Sequence, residues 1–129
     1  MDYPILDITL EATGALEAQT FCAMTDAGLV ETPGADDVDT CGVVISCTDA
    51  APYVAQVRVL GMAWVKSAGQ GAIAGGDLVG THSDGKAKPA NPANGTTSRP
   101  LPGRAYSACD NTEDELVSVL ILSAAYVGA

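Results

Sequence analysis

Positive charge is scarce in this chain. Six lysines and arginines stand against sixteen acids, giving a formal net charge of −10 over 129 residues. Nucleic-acid binding neutralises phosphates with Lys and Arg, so this balance argues against it, and equally against docking on an anionic membrane surface. It fits a soluble exterior, or a partner with a basic face. Aromatic residues are also few: one Phe, one Trp and four Tyr. The core must therefore be built from Val, Ile, Leu and Ala, which together with 14 glycines suits short strands and tight turns. The same scarcity disfavours the sugar platforms that a pair of hydrolytic carboxylates would need. No stretch reaches the roughly 18 apolar residues that span a bilayer. The start, Met1-Asp2-Tyr3-Pro4, has neither a basic region nor a long apolar run, so no signal peptide is expected.

Catalytic and metal-binding chemistry is equally thin. His82 is the single histidine, and it lies beside Asp84-Gly85. A Ser-His-Asp triad or a multi-histidine zinc site needs partners in defined geometry, so His82 reads as a turn-flanking residue. The four cysteines, Cys22, Cys41, Cys47 and Cys109, show no paired metal-binding spacing. Without a secretion signal they are expected as free, buried thiols, with a Cys47–Cys109 bridge as the alternative. Two acidic clusters, Asp36/Asp37/Asp39 and Asp110/Glu113/Asp114/Glu115, hint at calcium, but neither fits a twelve-residue calcium loop. The run Gly69-Gln70-Gly71-Ala72-Ile73-Ala74-Gly75-Gly76 lacks the Lys-Ser/Thr ending of a nucleotide cradle and reads as a turn into a strand. No catalytic residue, cofactor site or metal site emerges, so an enzyme is not expected.

What is present is an internal echo. Leu16–Gly28 aligns with Ile73–Gly85 at an offset of 57, Gly42–Ser46 with Gly103–Ser107 at 61, and Cys47–Leu60 with Cys109–Leu122 at 62. Seven positions are identical: Ala15/Ala72, Gly28/Gly85, Gly42/Gly103, Ser46/Ser107, Cys47/Cys109, Val57/Val119 and Leu60/Leu122. Two or three would arise by chance, roughly, from ordinary composition. The order of parts says more. Each copy has a strand, a turn ending in Gly28 or Gly85, a short strand, a polar loop, a Gly-led strand, and an apolar strand that closes the unit. The expectation is an all-β, compact, pseudo-symmetric barrel-like, tulip-like or sandwich domain with little or no helix.

In that reading residues 1–129 form one β domain, with units at 15–61 and 72–123 and a tail at 124–129. Strands are expected at Thr20–Met24, Leu29–Thr32, Gly42–Cys47, Val54–Leu60, Met62–Lys66, Asp77–Thr81, Lys86–Lys88, Gly103–Cys109 and Leu116–Leu122. Pro89–Pro102 reads as a long loop, and one or two helical turns could fall near Asn111–Glu115. The opening segment lies outside the repeat. Its Leu6, Ile8 and Leu10 fall on one face of an extended strand, with Asp7, Thr9 and Glu11 on the other. It could pair with its own sheet or, by a slight preference, act as an arm that adds a strand to a neighbouring subunit.

The second copy also carries a resemblance. Ala72-Ile73-Ala74-Gly75-Gly76-Asp77-Leu78-Val79 runs into Ser83-Asp84-Gly85-Lys86 and Lys88-Pro89-Ala90. Pro102-Gly103-Arg104-Ala105-Tyr106 then leads to Asp114-Glu115-Leu116-Val117-Ser118-Val119-Leu120, and Leu60-Gly61-Met62-Ala63-Trp64-Val65 precedes the phrase. Over residues 40–122 this resembles the capsid decoration (cement) proteins of tailed bacteriophages. The resemblance implies a virion protein without catalysis, assembled in the host cytoplasm. It would form a homotrimer that binds the major capsid protein on the outer surface of the assembled head. Candidate capsid or subunit contacts are Pro4, Ile5, Leu6, Ile8 and Leu10 of the opening segment, Asp36, Asp37 and Asp39 of the first polar loop, and Asn91, Asn94 and Arg99 of the second. The alternative function is a small cellular β-rich module that binds a sugar or peptide, and a weaker one is an accessory domain of a hydrolase.

Overall fold

A computed structural model of the protein describes residues 2–90 and 99–127, with the backbone alone for 99–100 and 123–127. The described residues form nine strands and no helix: β1 (Tyr3–Glu11), β2 (Phe21–Met24), β3 (Val30–Glu31), β4 (Gly42–Cys47), β5 (Val54–Lys66), β6 (Leu78–Thr81), β7 (Ala87–Pro89), β8 (Arg99–Ala105) and β9 (Leu116–Val127). The sheet path is β3-β2-β4-β5-β9-β8-β6-β7, with β1 paired to β5 off that path, and every strand pair is antiparallel.

The sequence offsets reappear in the hydrogen-bonding register. Met24↔Val30 and Ala23↔Glu31 in the first hairpin become Thr81↔Ala87 and Gly80↔Lys88 in the second. Phe21↔Val43 and Cys22↔Gly42 become Leu78↔Arg104 and Val79↔Gly103. Val43↔Arg58 and Val44↔Val57 become Arg104↔Leu120 and Ala105↔Val119. A one-residue slip would turn every side chain to the other face, so agreement in register identifies a true structural repeat.

The repeat reaches further than the sequence alignment. β1 pairs with β5 through Glu11↔Val54, Leu10↔Ala55, Ile8↔Val57 and Asp7↔Arg58. The second half of β5 pairs with β9 in the same way: Lys66↔Leu116, Val65↔Val117, Ala63↔Val119 and Met62↔Leu120. The opening segment is thus the first strand of unit one rather than an appendage, and Met62–Lys66 is the first strand of unit two. Each unit has the order third strand, second strand, fourth strand, closing strand, first strand: β3-β2-β4-β5-β1 and β7-β6-β8-β9-β5. The two units share β5. Its first half closes one, and its second half opens the other. The expected break at Gly61 does not occur, because Gly61 takes a φ of +108° and carries the strand through a bulge.

Each unit builds its own core. Unit one buries Cys22, Val30, Val44, Ala55 and Val57, with Leu10, Leu16, Cys47 and Val59 packed against them. The equivalent positions in unit two are Val79, Ala87, Ala105, Val117 and Val119, with Val65, Ile73, Cys109 and Ile121, all in the other core. Phe21 and Val43 of unit one also join that second core. A bridge across a pseudo-twofold between Cys47 and Cys109 is therefore not formed: the two thiols sit at matching places in separate cores, and all four cysteines are free.

Three further expectations are corrected. The region Asn111–Glu115 makes a turn through Asp114, at φ +67°, and not a helix. β8 begins at Arg99, inside the expected loop Pro89–Pro102, and ends at Ala105; Cys109 follows only as an isolated bridge to Ile73. β9 continues past Leu122 to Val127, because Arg99–Leu101 pairs with Val127–Ala125.

Candidate docking surface

The candidate surface is the start of β1 against the bend of β5. The pairing shifts register between Pro4 and Leu6 and again between Leu6 and Asp7. Two shifts in succession interrupt the ladder here, and Leu6 is left exposed rather than buried with Ile8 and Leu10 as the sequence pattern implied. Ile8 and Leu10 are half-buried, and Leu10 packs on the first core. Tyr3, Pro4, Ile5 and Leu6 are exposed, Ile5 at 75%, and Leu60 across the pair is exposed too. These five form an apolar edge that a folded monomer leaves in water. Sequence reasoning missed Tyr3 and Leu60. Leu60 aligns with Leu122 of the closing strands and looked like core.

A polar anchor holds this edge in place. Arg58, 4% exposed, donates from Nε to Asp7 Oδ1 at 2.8 Å, from Nη2 to Asp7 Oδ2 at 3.2 Å and from Nη1 to the Met62 carbonyl at 3.0 Å. Asp2 joins Arg58 Nη1 as well. One guanidinium thereby ties β1 to β5 on both sides of Gly61.

The acidic loops are turned inward onto lysines. Lys88 Nζ on β7 reaches Asp37 Oδ2 at 3.1 Å and Asp36 Oδ2 at 3.5 Å. Asp36 Oδ1 accepts the Ser83 amide at 2.8 Å, and the Asp37 amide donates to the Thr81 carbonyl at 2.9 Å. The first polar loop therefore clasps the second unit's hairpin. Asp39 lies in the same loop and is exposed. Just before β7, Lys86 Nζ meets Asp114 Oδ1 at 2.7 Å and Glu113 Oε1 at 3.0 Å. Asn91 and Asn94 lie outside the described residues, and of Arg99 only the backbone, at the start of β8, is described.

This clasp has a pH signature. Partial burial alone would push the Asp84 carboxyl up, but the Lys86 amide, His82 and the Lys86 charge outweigh it and hold the pKa below its ordinary value. A depressed carboxyl stabilises the fold above its unfolded pKa of about 3.9, and that contribution is lost as pH falls through the lower folded value. The melting temperature should therefore drop on acidification from pH 7 to about 2.5. Asp84→Asn should show a shallower drop in thermal melts followed by circular dichroism, and an identical pH profile would contradict this role.

The described surface also carries concavities. An open groove of about 350 Å³ is lined by Gly76, Asp77, Leu78, Pro89, Ala90 and Arg104, where Arg104 Nη1 donates to the Gly76 carbonyl at 2.8 Å. A niche of about 100 Å³ lies between Asp2, Gln19, Ile45 and Trp64. The larger groove has no aromatic lining.

Neither a protein-family model nor a curated protein matches the sequence. Among solved structures, the N base of head fiber gp8.5 in bacteriophage phi29 is similar, with a TM-score of 0.65 and 21% identity, over 91% of this chain and 93% of that chain. The chain thus has the fold of that head-fiber base along nearly its whole length.

Proposed function

We propose that this chain is a structural protein of a phage head. It binds the outer surface of the assembled shell as a homotrimer, decorates it and strengthens it. The observation that carries the reading is the fold match along nine-tenths of the chain to the phi29 head-fiber base. The resemblance of residues 40–122 to decoration proteins supports it independently. So does the apolar edge at Tyr3–Leu6 and Leu60, which offers a surface for a subunit or shell contact. A protein that binds only the assembled lattice stabilises it by mass action, and three weak contacts on one trimer act together through effective concentration. The chemistry is binding alone, without catalysis.

The test is co-sedimentation with expanded, undecorated phage heads, together with the mass in solution. Saturable binding by a trimer, absent with unassembled capsid subunits, is the expected result. A monomer that does not bind would overturn it and favour a small-ligand module using the groove beside Arg104. Deleting residues 1–11 is a poor probe, because Asp7 and Leu10 belong to the fold. Ile5→Asp with Leu6→Asp changes only exposed side chains, and should leave the melting temperature within a few degrees while lowering head binding or trimerisation at least about tenfold.

A further inference from the structure

Cys22 lies on β2 and Cys41 immediately precedes β4. Cys22 pairs with Gly42, while the Cys41 amide donates to the Cys22 carbonyl at 2.8 Å. Cys41 and Gly42 thus both stand opposite Cys22, and the two sulfurs lie 3.5 Å apart. Cross-strand neighbours have Cα atoms about 4.5–5.5 Å apart, inside the range a disulfide spans. Cys22 is 1% exposed and Cys41 is only partly buried, so Cys41 is the thiol a reagent reaches first and Cys22 lies behind it.

We propose that Cys22 and Cys41 are an oxidation site that closes to a disulfide by exchange with a low-molecular-weight disulfide. The Cys41 thiolate attacks one sulfur of the reagent, breaks its S–S bond and expels one thiolate. The Cys22 sulfur then attacks Cys41 Sγ in the mixed disulfide, gives its proton to water and expels the second thiolate. One S–S bond is broken and one formed, and the two electrons removed from the protein reside on the two released thiols. The electrostatics set this order. The hydrogen bond between the two sulfurs holds the Cys41 pKa below its ordinary value, while Cys22 is pushed up, first by that same contact and then by burial. Once Cys41 is capped, the hydrogen bond that raised Cys22 most is gone, which frees it to resolve.

The bond would join residues 19 apart in sequence and staple β2, β3 and the 33–40 loop into one closed segment. Closing a loop of about 20 residues should raise the melting temperature by about 10 °C, reversibly with dithiothreitol. The experiment treats the full chain with excess oxidised glutathione at pH 8, then counts thiols in denaturant and weighs the intact protein. The expected result is two thiols remaining of the four cysteines and a mass lower by two hydrogens. Cleavage after Glu31 and the aspartates should separate Cys22 from Cys41 only after reduction. Cys41→Ser should lose the intramolecular bond, and Cys47→Ser should keep it. Four thiols retained, a glutathione adduct that never resolves, or a bond that persists in Cys41→Ser would each overturn the proposal. Because the readout is thiol chemistry in the isolated protein, it stands apart from the head-binding reading.

Discussion

Arg58→Ala should be the most damaging single substitution at the β1–β5 junction, costing about 3–5 kcal/mol and lowering the melting temperature by about 10–15 °C. The side chain is almost fully buried, and its removal leaves the half-buried Asp7 carboxylate and the Met62 carbonyl without the donors they now have. Breaking a buried pair from one side costs more than the pair is worth, because the surviving charge stays desolvated. The repeat supplies the control. In unit two the positions of Asp7 and Arg58 are taken by Met62 and Leu120, an apolar pair on the same cross-strand register. Transplanting it as Asp7→Met with Arg58→Leu should therefore recover more than half of the loss, since a well-packed apolar pair replaces a buried ion pair at little net cost. Urea denaturation of the three proteins checks this. A double variant as weak as Arg58→Ala would mean that the contacts to Asp2 and Met62 carry the effect.

Gly42→Ala and Gly103→Ala should each destabilise by about 3 kcal/mol, with nearly equal effects. Gly42 opens β4 and Gly103 lies within β8, the matching fourth strands of their units, and both sit hard against the closing strand. A Cβ on Gly42 would lie 2.8 Å from Val57 Cγ1 and against the Arg58 carbonyl. On Gly103 it would lie 2.6 Å from the Leu120 carbonyl and against Val119 Cγ1. Val57 and Arg58 correspond to Val119 and Leu120, so the same close approach has been kept twice. A carbonyl in a paired strand cannot rotate away, and relief requires the strands to part. Because each clash lies in its own unit, the two costs should add to about 6 kcal/mol, comparable to the whole stability of a domain this size, and the double variant should fail to fold. Gly75→Ala is the control, since nothing lies within 4 Å of its Cβ position. It should melt within a degree or two of the parent.

Those two glycines were also what made the fold legible. Gly42 and Gly103 anchored the alignment whose offsets the register reproduces, and the hairpins at Gly28 and Gly85 fell where turn chemistry put them. The opening strand was misplaced because Asp7–Glu11 and Met62–Lys66 share only a pattern, Ile8 with Ala63 and Leu10 with Val65, and no identity. What makes them equivalent is long-range pairing to β5 and β9, which leaves no local trace. β8 was cut short because Pro100 and Pro102 read as loop residues. Proline is tolerated in a strand lacking a neighbour on one edge, and β6 pairs with β8 only at Gly103 and Arg104. The candidate surface was half legible: Ile5 and Leu6 were singled out, but the bulge that exposes them arises from pairing with Leu60 and Gly61. The acidic loop looked like open surface because its lysine partner lies 51 residues away in sequence.

The shared strand also bears on the far edge of β9. A unit whose closing strand opens the next unit has no built-in terminus; it is the logic of an array, in which each module leaves an edge for its successor. β9 runs on to Val127 as β5 runs on to Lys66, and so presents the edge on which a third module would begin. Residues Arg99–Leu101 of β8 lie along that edge instead, in the place that the first half of β9 takes on β5. Arg99–Leu101 thereby cap a row of amide and carbonyl groups that would otherwise invite another strand, so the edge that could seed a fibre is already taken by the chain's own β8.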